Sequence, residues 1–387
     1  MNFDNTEIAF ASKSNQELKK ARFLFSSMGR PWLTRLGISL TQFGFRFHLP
    51  IKGVIKSTIF DHFCGGETLE EADRSAKLLD QYGVSVIMDY GVEGKSNEAE
   101  FEKTAASFLK TIQFSANKSY IPFISLKVTG FARFELLEKI HANQSLTPDE
   151  EQEAGRVMAR IDSICAAAEK AGKMILIDAE ESWIQQGVDD LADHMMEKYN
   201  RGKVVVFNTF QLYRHDRLEF LKKSFDKAQA GNYQLGAKLV RGAYMEKERF
   251  RAAQYNYPSP IQPDKAATDR DYDLASDFCL QNLDQIVLFV GTHNERSCQL
   301  AFEKMQSLKI SLNTDRVYFS QLYGMSDNIS FNLAKAGCHV SKYLPYGPVE
   351  DVIPYLMRRA QENTSVAGQT GRELSLIQKE LQRRALS

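Results

Sequence analysis

Residues 203–240, KVVVFNTFQLYRHDRLEFLKKSFDKAQAGNYQLGAKLV, carry the pattern that decides the fold. A short apolar run rich in β-branched residues (203–209) gives way to an amphipathic stretch (214–230) and then to a second apolar run (235–240). The runs are mostly continuous rather than alternating, as strands covered on both faces require. The same rhythm extends in both directions. Apolar runs recur at 84–90, 121–128, 174–179, 286–292, 317–322 and 340–344, with helical periodicity at 99–115, 148–171, 269–282, 295–308 and 349–361. Thr147-Pro148-Asp149-Glu150 is a capping start with proline at the first helical position. Eight strands alternating with helices predict an α/β chain with one (βα)8 barrel of the TIM type rather than two doubly wound sheets. The span 84–363 accommodates the roughly 250 residues such barrels use. The expected division is a basic, aromatic helical arm at 1–60, the barrel at 61–366 and an amphipathic C-terminal helix at 367–387.

Composition narrows the function classes. The 387 residues carry 49 Lys plus Arg and 49 Asp plus Glu, so a global polyanion binder is not expected and nucleic acid is not an anticipated partner. Five cysteines without CxxC spacing suggest a reducing compartment rather than a disulfide framework. The first residues show no signal or transit peptide, and no apolar run reaches 18 residues. The expected location is the cytoplasm, peripheral on the inner face of a bacterial membrane; a processed protein at the mitochondrial inner membrane would read the same way. Between Leu18 and Phe60 lie eight Lys or Arg and no acid, interleaved with Phe23, Phe25, Trp32, Phe43, Phe45 and Phe47. Such an arm can sit on an anionic membrane or pack on the barrel with a solvated basic face.

A barrel puts its chemistry at the carboxyl ends of the strands. Those positions hold Asp89 and Glu93, Lys127, then Asp178, Glu180 and Glu181, then Gln211, Arg241 and Tyr244, Thr292 and His293, and finally Lys342 and Tyr343. So dense a polar ring is hard to explain as packing and points to an enzyme. The histidines form no HxH or HExxH pair, so no metal is indicated, and neither a phosphate loop, a GxGxxG fingerprint nor a GxSxG elbow is present. An organic cofactor, or a Schiff base on Lys127 as in barrel aldolases, remains. On the helix after the last strand Tyr355, Arg358, Arg359 and Glu362 fall at i, i+3, i+4 and i+7, one face of about two turns. Two adjacent guanidiniums repel unless an anion compensates, and a small carboxylate gripped bidentately does so, with Glu362 orienting one arginine. A solvated surface RR pair is the plainer alternative.

Phe63-Cys-Gly-Gly-Glu67, Leu126-Lys127, Ile177-Asp178-Ala-Glu-Glu181, Thr209-Phe-Gln211-Leu-Tyr213 and Lys238-Leu-Val-Arg-Gly-Ala-Tyr244 together resemble the flavin-dependent proline dehydrogenases. So do Gly291-Thr-His-Asn294, Gln321-Leu-Tyr-Gly-Met325-Ser-Asp327 and the block from Tyr343 to Asn363. The wording is closest to the monofunctional, mitochondrial-type members. The resemblance implies oxidation of L-proline to Δ1-pyrroline-5-carboxylate, non-covalent FAD as hydride acceptor and a membrane quinone as the final acceptor. It implies a catalytic set of Lys127, Asp178, Tyr244, Arg358 and Arg359, in which both arginines and Lys127 hold the substrate carboxylate. Tyr343 and Tyr355 would wall the ring, and Glu93 would gate the site by pairing with Arg358. Gln211, Lys238, Val240, Gly242, Thr292, His293 and Glu362 match flavin-contacting positions. Relatives acting on hydroxyproline carry a smaller residue in place of Tyr343, so this chain is expected to prefer L-proline. No dedicated base is read, which leaves solvent to deprotonate the bound amine.

Overall fold

The computed structural model describes residues 1–30, 32, 37, 40, 51–91, 96–365 and 369–386, with 361–365 and 369 described by backbone alone. Eight parallel strands close into a barrel in chain order: β1 (Val84–Tyr90), β2 (Phe123–Leu126), β3 (Met174–Ile177), β4 (Val206–Gln211), β5 (Leu235–Val240), β6 (Ile286–Gly291), β7 (Val317–Leu322) and β8 (His339–Tyr346). This is the (βα)8 architecture that the rhythm of apolar runs predicts.

The boundary of β4 differs from the expected 203–209, for a local reason. The Asn200 side chain accepts from the backbone N–H groups of Val205 and Val206 at 2.8 and 2.9 Å. A side-chain cap thereby takes the place of the first ladder bonds. The strand instead runs through the polar residues Asn208 and Gln211, both buried, with Asn208 Nδ2 donating to Asp189 at 3.0 Å. The expected run already contains Asn208; what composition does not show is the extension to Gln211, whose amide donates to the Glu180 carbonyl at 2.7 Å.

The chain forms two compact units. Residues 93–320 carry β2 to β6 and most of β7. Phe123 of β2, Phe207 of β4 and Phe289 of β6 are fully buried, and Phe123 meets Phe289 edge to face at 5.1 Å between centroids. Alternate strands contributing one large side chain each is how such barrels fill a layer, and each buried ring contributes about 1.5–3 kcal/mol. The helix Pro148–Ala171 shows the anticipated Thr147–Glu150 capping box and ends at Gly172 in the left-handed conformation (φ 65°).

Residues 1–92 and 321–387 form the other unit. Here β1 and β8 pair in register from Val84↔Val340 to Tyr90↔Tyr346. Phe25, Phe60, Phe63, Val349, Val352, Leu356, Leu376 and Ile377 share one apolar cluster. The N-terminal helix Asn15–Met28 starts with a Ser14–Glu17 capping box and buries Leu18, Ala21, Phe25 and Met28. Its opposite face leaves Lys19, Lys20, Arg22 and Phe23 exposed. Part of the basic arm therefore packs while keeping a charged side in water; most of 31–50 lies outside the described residues. The C-terminal helix runs Gln369–Leu386.

Candidate active site

Lys127 stands one residue beyond β2, Asp178 one beyond β3, and Lys238 near the end of β5. The Asp178 carboxylate is shared by the two lysines: Lys238 Nζ donates to Oδ1 at 2.6 Å, and Lys127 Nζ lies 3.9 Å from Oδ2. The backbone sets this up, since the Asp178 N–H donates to the Leu126 carbonyl at 2.9 Å and so holds the two strand ends level. The two ammonium groups and the carboxylate stand together in largely buried surroundings at the strand ends, where charge interactions are stronger than in water.

Glu180 lies two residues past Asp178 and is buried. Its carboxylate accepts from the Thr129 N–H at 3.0 Å and from the Thr129 hydroxyl. Burial pushes its pKa up to about 7, against the opposing effect of Thr129 and the Lys127 charge. Thr129 sits in the 3-10 turn Val128–Gly130 directly after Lys127, so Glu180 fixes the backbone that carries that lysine. Gln211 Nε2 donates to the Glu180 carbonyl at 2.7 Å. Position alone placed Glu180 in the ring; its buried bond to Thr129, 51 residues away, has no sequence signal.

Arg241 joins the ends of β5 and β6. Its Nη1 donates to Thr292 Oγ1 at 2.6 Å, its Nη2 to Ser297 Oγ at 2.8 Å, and its Nε to Asp269 at 2.7 Å, while the guanidinium lies 4.4 Å from the Tyr272 ring centre. Val240 accepts the Leu212 N–H at 2.9 Å, tying β5 to the turn after β4. Gly242 has φ +129°, and a Cβ there would come within 2.4 Å of the Tyr213 ring, so glycine is required for both reasons. Tyr244, nearly buried, leads into the helix Met245–Tyr255; His293 is half-buried beside Thr292. That helix buries Glu248, which accepts from the Ser182 N–H at 2.7 Å and its hydroxyl at 2.6 Å. This bond was not anticipated either. Among the described residues no cluster of three or more His, Cys, Asp or Glu could hold a metal ion.

In the other unit, Tyr343 on β8 is nearly buried. On the helix Val349–Ser365, Tyr355 and Arg359 are nearly buried, with the Arg359 guanidinium 5.2 Å from the Tyr355 ring centre, and Arg358 is half-buried. The i, i+4 spacing thus becomes a real contact, and Arg359 is not a solvated surface residue. Glu93 and the side chain of Glu362 lie outside the described residues.

Comparison with known proteins gives a consistent picture. The family described as Proline dehydrogenase matches residues 72–372. The chain is 34% identical over 333 residues to the carbapenem antibiotics biosynthesis protein CarD of Pectobacterium carotovorum subsp. carotovorum, covering 86% of each chain. It is 32% identical over 379 residues to the mitochondrial proline dehydrogenase 1 of Dictyostelium discoideum, covering 87% of this chain and 66% of that one. Among solved structures it matches proline utilization A from Bdellovibrio bacteriovorus inactivated by N-propargylglycine. The TM-score there is 0.73 at 20% identity, over 96% of this chain and 40% of the other. At that identity the likeness speaks for the fold.

Proposed function

The chain belongs to the proline dehydrogenase family, and from that premise we propose that it oxidises L-proline to Δ1-pyrroline-5-carboxylate with non-covalent FAD, the electrons passing to a membrane quinone. The observation that carries this reading is the cluster of Lys127, Asp178 and Lys238 at the strand ends, where a barrel gathers its chemistry.

The strand ends suit a flavin. Lys238, Gln211, Arg241 and Thr292 form a donor-rich set, and Gly242 lets the backbone run close to Tyr213 where any side chain would collide. Gln211, Lys238, Val240, Gly242, Thr292 and His293 would hold the group, with Glu362 contributing from the helix Val349–Ser365. When bound, FAD supplies the two-electron oxidant that takes the hydride from proline C5. This chain's residues do the rest. Arg358, Arg359 and Lys127 hold the substrate carboxylate, and Asp178 keeps Lys127 oriented. Tyr343, Tyr355 and Tyr244 would exclude water around the pyrrolidine, with Glu93 and Arg358 as the proposed gate. Holding the carboxylate fixes which ring carbon faces the oxidant, so binding energy is converted into orientation.

No helix among the described residues is long and apolar enough to cross a membrane. Contact with the quinone's membrane would fall to the exposed basic face of Asn15–Met28 with Phe23, 74% exposed, and to Trp32, 63% exposed. Co-sedimentation with anionic liposomes that salt does not weaken would remove this part of the proposal.

The visible spectrum of purified protein supplied with FAD tests the central claim. Flavin bands should appear and bleach under anaerobic L-proline, more slowly with trans-4-hydroxy-L-proline. Protein that takes up no FAD overturns the reading.

A further inference from the structure

The segment Gln321–Asp327 closes β7 and contains two left-handed residues, Gly324 (φ +77°) and Ser326 (φ +51°). A non-glycine residue in that region is costly and persists only where its surroundings over-determine it. They do so here from three sides. Lys342 Nζ donates to the Met325 carbonyl and, at 3.4 Å, to that of Leu322, while pairing with Asp327 at 2.8 Å. His62 Nε2 lies 2.9 Å from the Gly324 carbonyl. Glu373, on the C-terminal helix, accepts the Ser326 N–H. Lys342 is wholly buried and Glu373 nearly so.

The fastening ends at a residue with a proposed role. Lys342 and Tyr343 are neighbours on β8 and face opposite sides of it. The Tyr323 N–H donates to the Tyr343 carbonyl at 2.9 Å. The bend is therefore stitched to β8 at Lys342 on one side and through the Tyr343 backbone on the other. A lysine is suited to this task because one ammonium serves several acceptors at once. Burying it only for stability would be a poor solution, since an apolar side chain of similar volume often does as well.

We propose that Lys342 and Glu373 are positioning residues for Tyr343, and that through it they set discrimination between L-proline and trans-4-hydroxy-L-proline. The inference rests on the reading above, in which Tyr343 walls the pyrrolidine ring. Neither residue touches substrate; each holds the bend that holds Tyr343.

The test is the kinetics of FAD-loaded Glu373→Ala, Glu373→Gln and Tyr343→Ser, and of the Glu373→Ala/Tyr343→Ser double variant, on both amino acids well below each melting temperature. Glu373→Ala should lower the kcat/KM ratio of proline over hydroxyproline about fivefold, mainly through KM for proline. Glu373→Gln, which keeps an acceptor for Ser326, should restore the ratio. The double variant should show no further loss of ratio beyond Tyr343→Ser, because both changes act on one residue. Lys342→Met should move the ratio the same way if it folds. A lowered melting temperature with an unchanged ratio, an equal fall on both substrates, or losses that multiply in the double variant would overturn the proposal. Wild-type enzyme that oxidises neither amino acid would instead overturn the dehydrogenase reading, and this inference with it.

Discussion

Two lysine–aspartate clusters with similar inventories occupy different places in this molecule. At the strand ends Asp178 is shared by Lys127 and Lys238, with Glu180 nearby. In the other unit Asp327 pairs with Lys342 and feels the charge of Lys13, with Glu373 nearby. Both glutamates are pushed up to about 7 by burial. What differs is where the ammonium protons go. Lys342 gives its protons to two backbone carbonyls and one carboxylate, so its cluster is closed within the fold. At the strand ends Lys238 gives a proton to the Asp178 side chain and Lys127 lies 3.9 Å from the same carboxylate, where a barrel gathers its chemistry. The same ions thus hold a backbone bend in one place and stand at the barrel's strand ends in the other, and that placement tells them apart.

The sharpest way to break this comparison is to remove one lysine from each cluster. Lys342→Met strands Asp327 in the interior and should cost about 3–5 kcal/mol in urea denaturation. Lys127→Met leaves Asp178 still paired with Lys238 and should cost well under half of that. Equal losses would mean that the mouth cluster is structural too.

The pH dependence of stability comes next. Glu373 titrates near 7 when folded and near 4.5 when unfolded. Between those values the folded state holds a proton that the unfolded state has released, so stability falls as pH rises from about 4.5 to 7. By linkage the loss is at most about 3 kcal/mol, and Glu373→Gln should abolish it in urea titrations across that range. His62 has the opposite sense. Burial holds it down at about 4, so it stays neutral in the fold while the unfolded chain protonates below 6.5, and its contribution is lost as pH falls through that window. Identical wild-type and Glu373→Gln slopes would refute the buried assignment.

Asp178→Asn deprives two largely buried ammonium groups of their carboxylate, so it should lower the melting temperature and also lower kcat/KM for L-proline about 100-fold, as misplacement of a positioning group does. Retained activity would move Asp178 into the support class. The smallest expected effect is on selectivity. Tyr343→Ser should shift the proline-to-hydroxyproline ratio of kcat/KM about tenfold towards hydroxyproline, the scale at which pocket size discriminates; an unchanged ratio would separate Tyr343 from the ring-binding surface.

What the chain's own order determined is whatever has a short period. Continuous apolar runs located all eight strands, Thr147 and Glu150 located a helix start to the residue, and the i, i+4 step from Tyr355 to Arg359 anticipated a contact that the helix makes. Periodicity reports which face a residue occupies, and strand ends of a barrel report where chemistry gathers. It does not report which distant residue lies opposite. Lys342 read as one more member of the polar ring, yet it is a buried strut, because the bend after β7 brings the Leu322 and Met325 carbonyls and Asp327 onto it, with Glu373 of the C-terminal helix nearby. Likewise Lys238 pairs with Asp178 across 60 residues, and Glu180 bonds Thr129 across 51. Those choices depend on strand register and on which carbonyls are left to be satisfied once the backbone has closed, and only the tertiary structure settles them.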